Sequence, residues 1–371
     1  MSIIRGNMAG VRFRFECDSS DLEEYARVHL STLLTDDAAD SPCEVDIRLR
    51  WHEDQPPARR ALESQLAGHE RRDRDLYVKG SSLRWFRVDD LRDLHLRAER
   101  EAGTLRIEGD YYFRLGNSRR SDTIRKALQA QSATKRKRRR FTTLIYYLVY
   151  YPCWFVLETE HRMHPIHAGG VETPSGVVLL AGASGVGKST LSVGLAAART
   201  EHRFLSDSFV VHQGAEVRAV REPVLLDDAA INRIQPPEGL LETEAWEYML
   251  DRSGYRFERS RLSEGGRASL VVFPHRAPSG HVRELEPGEA HARLSGYDMI
   301  INDLRRYWGF AAVFEHIATG GLVLQRERAL DTLFKKVPAI EIGLCSDSLV
   351  EPIASIEETL SDRASRAGNK T

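Results

Sequence analysis

Two folded regions are predicted: a smaller α+β domain over residues 1–118, and a larger α/β domain with a central sheet over 160–350. Three observations predict them. The chain has 371 residues, and at roughly 150 residues per domain that length suggests two domains, or three. Near residue 160 the texture changes, from short alternating segments to apolar strand runs interleaved with helical stretches, the pattern of an α/β layer. A glycine-rich loop at 182–189 then sits between a strand run and a helix run.

Composition bounds the function classes. Hydrophobic residues are 42% and charged residues 29%, which supports a packed core and excludes wholesale disorder. Lys plus Arg is 53 against 54 Asp plus Glu, a net charge of -1. That balance excludes a surface that coats nucleic acid throughout, while a local basic patch stays open. Cys17, Cys43, Cys153 and Cys345 are scattered with no CxxC pair, so neither a disulfide framework nor a zinc knuckle is expected. Met1 to Phe15 contains no apolar stretch of signal-peptide length, and a reducing, cytoplasmic compartment is the expectation.

Taken in order, Val11 to Phe15 and Glu44 to Trp51 alternate as half-buried strands, with a helix between them over Leu22 to Leu34. Gln55 to Asp75 is polar and opens with prolines, which predicts a loop followed by an exposed helix. Leu76 to Lys79, Ser82 to Val88, Leu94 to Glu99 and Thr104 to Phe113 read as strands of an antiparallel meander. The segment 119–159 is expected to link the domains. Its first part, Arg119 to Arg140, holds ten Lys or Arg and one acid, Asp122; it reads as a solvated helix and linker, or as a site for an anion, nucleic acid or acidic partner. Phe141 to Leu157 follows with seventeen uncharged residues. That is short of the about 20 needed to span a bilayer, and its tyrosines, threonines and proline suit a buried helix better. No stable membrane insertion is therefore expected. Residues 351–371 are expected to be a flexible polar tail.

The chemistry starts at Gly182, Ala183, Ser184, Gly185, Val186, Gly187, Lys188 and Ser189, a full G-x-x-x-x-G-K-[ST] match, with Thr190 opening the helix. Glycines let successive backbone N–H groups face one anion, and the helix aims its positive end at the same point. Lys188 is placed to reach β- and γ-phosphates and Ser189 to offer its hydroxyl to Mg²⁺. Three features nearby narrow the chemistry. His167 ends a strand-like run before a turn. Asp207 follows a strand nineteen residues after Lys188, where a carboxylate can hold Mg²⁺ or accept a hydroxyl proton. Glu222, in Arg221-Glu222-Pro223, brings a second carboxylate.

HAGGVETPSGVVLLAGASGVGKSTLSVGLAAA from His167, then HRFLSDSFVV from His202, resembles the catalytic domain of HPr kinase/phosphorylase and its small relatives, including those of peptide-tailoring clusters. Ala268 to His275, Leu285 to Glu289 and Val337-Pro338 extend the likeness, which covers roughly residues 160–345. The resemblance implies an HPr-kinase-like P-loop domain that uses ATP and Mg²⁺ to phosphorylate a protein, peptide or small molecule. It implies His167, Lys188 and Asp207 as catalytic residues, residues 182–190 around the nucleotide phosphates, and Ser189, Asp207 and Glu222 around the metal. Relatives often assemble, so a homo-oligomer is among the expected states. Two departures stand out. The family carries paired aspartates where this chain reads Asp207-Ser208, so either Asp207 serves alone or transfer is weakened. The stretch that supplies the family's metal-binding glutamate is missing, and Glu222 is its positional counterpart. Both departures argue against HPr itself as acceptor.

Three readings follow. The first is a phosphotransferase whose acceptor hydroxyl, on an anionic partner in one version, is recognised by the N-terminal domain and basic segment. The second is a catalytically weak nucleotide-binding regulatory module. The third is a nucleic-acid-dependent ATPase that uses Arg119 to Arg140. Lesser features carry plainer readings. His161, His164 and His167 do not converge as strand-turn residues, and Asp227-Asp228 reads as a helix N-cap. Arg267, Arg276, Arg305 and Arg306 compete as the charge-stabilising arginine.

Overall fold

In the computed structural model, the residues described are 3–35, 42–64, 66–113, 139–234, 236–243, 252–318, 321–345 and 348–368. The chain divides into two units, Met1–Glu160 with Tyr307–Gly320, and His161–Arg306 with Gly321–Thr371. The described residues are mixed α/β with several sheets and, among them, no barrel.

The N-terminal unit contains strands β1 (Ile3–Met8), β2 (Val11–Cys17), β3 (Val45–His52), β4 (Glu70–Asp73), β5 (Leu76–Lys79), β6 (Ser82–Trp85), β7 (Leu94–Glu101) and β8 (Thr104–Tyr112). They form one sheet in the order β1-β2-β3-β8-β7-β6-β5-β4. β3 runs parallel to both β2 and β8; the strands from β8 to β4 form the antiparallel meander. Its helices are α1 (Ser20–His29), α2 (Arg59–Glu63) and α3 (139–160), the last with a π turn at Tyr146–Tyr150.

Three details of this unit depart from expectation. β1 was not foreseen, although Ile4, Gly6 and Met8 alternate inward as a strand requires. The exposed helix expected before Asp75 is only the short α2; Glu70–Asp73 is instead a polar, wholly exposed edge strand. Pairing with β5 outweighs its weak intrinsic preference. The apolar run Phe141 to Leu157 is the buried helix expected, but it belongs to this unit rather than to a link between domains. The Tyr25 hydroxyl bonds Thr142 Oγ1 at 2.8 Å and the Tyr147 hydroxyl donates to the Asp89 carbonyl at 2.9 Å. Among the described residues, no helix is long and apolar enough to cross a membrane. Most of the basic segment lies outside the described residues.

The second unit contains β9 (His164–Ile166), β10 (Ala168–Thr173), β11 (Gly176–Ala181), β12 (Arg203–Ser206), β13 (Phe209–Gln213), β14 (Glu216–Val220), β15 (Val224–Leu226), β16 (Leu240–Glu242), β17 (Ser253–Phe257), β18 (Gly265–Arg276), β19 (His281–Leu285) and β20 (Ala339–Leu344). Nine of these form the central sheet, with β11, β18 and β20 parallel at its middle; β15, β17 and β16 form a small second sheet. The helices are α4 (Lys188–Ala198), α5 (Asp228–Ile234), α6 (Pro287–Ile300), α7 (Asn302–Phe314), of which only the residues up to Arg306 belong to this unit, α8 (Leu322–Lys336) and α9 (Val350–Gly368).

Alternation along the central strands builds two cores. Val178, Leu180, Val272 and Ile342 pack with Leu191, Leu195 and Ile356 of α4 and α9. Leu179, Ala181, Val271 and Phe273 pack with Leu294, Leu333 and Phe334 of α6 and α8. The sheet is therefore covered on both faces, as parallel strands require.

The expected flexible tail is corrected: Val350–Gly368 is a helix that buries Ile356 and Leu360. Its apolar positions, Ile353, Ile356 and Leu360, follow helical spacing but are diluted by polar residues, so composition alone misleads. Arg199 also forks onto Glu357 through bonds of 3.0 and 2.9 Å.

Candidate functional site

The site lies in the second unit, where β11 passes through the loop 182–187 into α4. Gly187 stands at the helix N-cap with φ +100°, a left-handed conformation that side chains strain to adopt. The Lys188 ammonium turns back and donates to the carbonyls of Gly182, at 2.9 Å, and Ala183, at 3.0 Å. Burial pushes its pKa down to about 8, against the opposing pull of Asp207.

Asp207 follows β12, whose last residue, Ser206, donates from Oγ to the Val220 carbonyl at 2.6 Å. This anchor fixes where the next side chain emerges. Asp207 is buried, and burial raises its pKa. The Ser189 hydroxyl, Lys188 ammonium, Ser208 hydroxyl and Arg252 guanidinium oppose that rise. Ser208 Oγ lies 3.5 Å from Asp207 Oδ2, while Oδ1 is buried with no hydrogen-bond partner. A bare carboxylate oxygen beside the Ser189 hydroxyl is a donor set that fits a hard cation such as Mg²⁺. Ser189 and Asp207 are the residues that would hold it.

His167 joins this group from the turn between β9 and β10. Its ring packs on Phe209 with centroids 5.2 Å apart, and its Nδ1 is buried without a partner. Burial and the Lys188 charge push its pKa down to about 3, so the imidazole is neutral. The His167 backbone N–H donates to Asp298 Oδ1 at 3.0 Å. Asp298 is buried on α6, and burial pushes its carboxyl up to about 8. This carboxyl was not anticipated. Ala290, Leu294 and Asp298 share one buried helix face at steps of four, and an acid in that series is the signal that marks it.

Asp298→Ala leaves the His167 N–H unpaired and should cost about 1–3 kcal/mol. Asp298→Asn keeps an acceptor and should preserve the fold. The folded pKa lies above the unfolded value, so this group's stabilising contribution is full below the unfolded value and is lost as pH rises through about 8. The gap corresponds to a few kcal/mol at about 1.4 kcal/mol per unit. Urea titrations at pH 5 and pH 8.5 sample the upper part of that window and should show wild type losing most of it relative to Asp298→Asn. A pH-independent difference between the two proteins would contradict the assignment.

The remaining candidates separate. Glu222 is partly buried between β14 and β15; the groups acting on Asp207 are Ser189, Lys188, Ser208 and Arg252. Its neighbour Arg221 is bound to Glu264 at 2.9 Å. His164 is buried on β9, and the three spaced histidines form no ligand group among the described residues. Asp227 Oδ1 accepts from Ala230 N at 2.7 Å, the bond of an N-cap. Arg276 and the unanticipated Arg233 line a cleft of about 320 Å³ together with Val186, Gly187 and Thr190. Arg267 is exposed at the start of β18. Arg305 bonds Asn302 Oδ1 at 2.8 Å, and Arg306 lies 3.8 Å from Asp303. Arg252, which acts on Asp207, was also missed, since nothing in its local sequence links it to the loop. No protein-family model matches the chain, and no curated protein matches its sequence.

Proposed function

We propose that the second unit is an ATP- and Mg²⁺-dependent phosphotransferase that moves the γ-phosphoryl group to a hydroxyl of a peptide, protein or small metabolite. One observation carries the reading: the buried Asp207 carboxylate, with an unpartnered oxygen, meets Lys188 and Ser189 at the phosphate loop.

In this reaction the acceptor oxygen bonds to the γ-phosphorus and the bond from that phosphorus to the β–γ bridging oxygen breaks. The acceptor proton passes to Asp207, and ADP is the leaving group. Asp207 is suited to the task because burial makes its carboxylate a stronger base than an exposed one. His167 stays neutral beside it and, with a pKa lowered by burial and by Lys188, is the weaker base of the two. Lys188 and the backbone amides hold the phosphates, and Arg276 and Arg233 add positive charge from the cleft. Mg²⁺, when bound, neutralises phosphate charge. Most of the acceleration is electrostatic and positional.

Nucleotide binding should depend on pH through Lys188. The free ammonium loses its proton near pH 8, and a phosphate beside it favours the protonated form. Binding above pH 8 therefore takes up a proton, and affinity should fall about tenfold per pH unit there. Calorimetry in buffers of different ionisation enthalpy measures both effects. Lys188→Arg, which stays charged, should flatten the profile; an unchanged slope would overturn the role given to Lys188. Transfer itself is tested by γ-labelled ATP incubated with the protein and a cell extract.

A further inference from the structure

We infer that His275, His281 and Glu341 form a binding site for a borderline divalent cation of the Zn²⁺ class, on the central sheet and built from none of the phosphate-loop residues. The three residues come from neighbouring strands: His275 from β18, His281 from β19 and Glu341 from β20. In the register, Gly343 of β20 is paired with His275 on one side and His281 on the other. Glu341, two residues earlier on the same strand, faces the same way. Gly343 makes this row possible, because a Cβ there would sit 2.6 Å from His281 Nδ1. One ligand atom from each of the three side chains lies within 4.8 Å of the other two.

The side chains are also oriented as ligands. His281 Nδ1 lies 3.3 Å from the Ser279 carbonyl. With the proton on Nδ1, this bond leaves the Nε2 lone pair free, and Nε2 lies 3.6 Å from Glu341 Oε1. Donors about 2.0–2.2 Å from a tetrahedral ion stand about 3.3–3.6 Å apart. His275 Nδ1 is buried without a hydrogen-bond partner, and its ring centroid is 5.1 Å from that of His281. Glu341 is held by Arg283 and Arg293, the kind of outer support that orients ligating carboxylates. Burial alone would raise its carboxyl, but the two guanidinium groups outweigh burial and bring it down to about 2. Glu289 pairs with both arginines, at 2.7 and 2.9 Å, and offsets their charge. Two imidazoles and one carboxylate suit Zn²⁺ and disfavour Mg²⁺, which takes oxygen ligands. His281 is exposed, so the ion has a path in.

The test is Zn²⁺ titrated calorimetrically into the metal-free full chain without nucleotide, with Co²⁺ absorption as a second readout. The expected result is one ion per chain, with affinity at least tenfold weaker in His281→Ala and in His275→Ala. Tetrahedral Co²⁺ bands should appear in wild type and be lost in His281→Ala. His281 is exposed, so its variant keeps the fold, which circular dichroism checks. Absence of binding by wild type, or equal affinity in wild type and both variants, overturns the site. Loss of Zn²⁺ binding in His167→Ala but in neither variant moves the ion to the phosphate loop and overturns it equally.

Discussion

Lys188→Ala is expected to lower kcat/KM for phosphoryl transfer by at least about 10²–10³-fold, the usual loss when one preorganised charge-stabilising donor is removed. Without nucleotide, the ammonium is buried and tied to the Gly182 and Ala183 carbonyls. On binding, those bonds can be exchanged for phosphate oxygens without bringing a new charge out of water. That exchange is the source of the large effect. The substitution also removes a charge whose burial is unfavourable, as its lowered pKa records, so the fold should survive. Steady-state kinetics and a thermal melt on the same preparation separate the two effects. A rate loss of less than about tenfold, below one preorganised donor's worth, with the melting temperature unchanged, would contradict the assigned role.

Asp207→Asn should show the opposite signs in stability and activity. Burial penalises the ionised carboxylate and raises its pKa, so the neutral isostere should leave the fold unharmed or make it more stable at pH 7. The carboxylate contributes least to folding where it is most useful to chemistry, because a group held against its desolvation cost is a better base. Loss of the proton acceptor should lower kcat by about 10²–10⁴-fold. Nucleotide affinity measured without Mg²⁺ should change little, since Lys188 and the backbone amides remain. A parallel fall in rate and stability would identify Asp207 as structural. Ser208 sharpens the test. Its Oγ lies 3.5 Å from Asp207 Oδ2, and Ser208→Asp shows whether a second carboxylate there adds rate.

The strand, glycine-rich loop and helix around 182–189 were legible because they are local: the loop is contiguous, and the flanking strand and helix follow from apolar runs on either side. Asp207 was legible for a related reason: an acid at the C-terminal end of a strand next to that loop has few other uses. Asp298 was not, because it meets His167 across 131 residues of sequence and its helix shows only one acid on an otherwise apolar face. Arg233 and Arg252 were hidden in the same way, their positions set by tertiary packing. The departures in the fold share that cause. The polar strand Glu70–Asp73 exists because β5 offers it an edge, and α9 because the sheet needs a cover over Ile340 and Ile342. Long-range partners decided all of these, and single-chain periodicity cannot record them.

The central claim is that a γ-phosphoryl group leaves ATP for an acceptor hydroxyl at Asp207. The most direct test is to incubate wild type and Asp207→Asn, at equal nucleotide occupancy, with γ-labelled ATP, Mg²⁺ and a fractionated cell extract. The account predicts label on an extract component in acid-stable form, as a phosphate ester of a hydroxyl requires, with labelling reduced at least a hundredfold in Asp207→Asn. Label that appears equally with both proteins, or nucleotide bound by wild type with no label transferred to any fraction, would contradict it; the second outcome would leave a nucleotide-binding regulatory module.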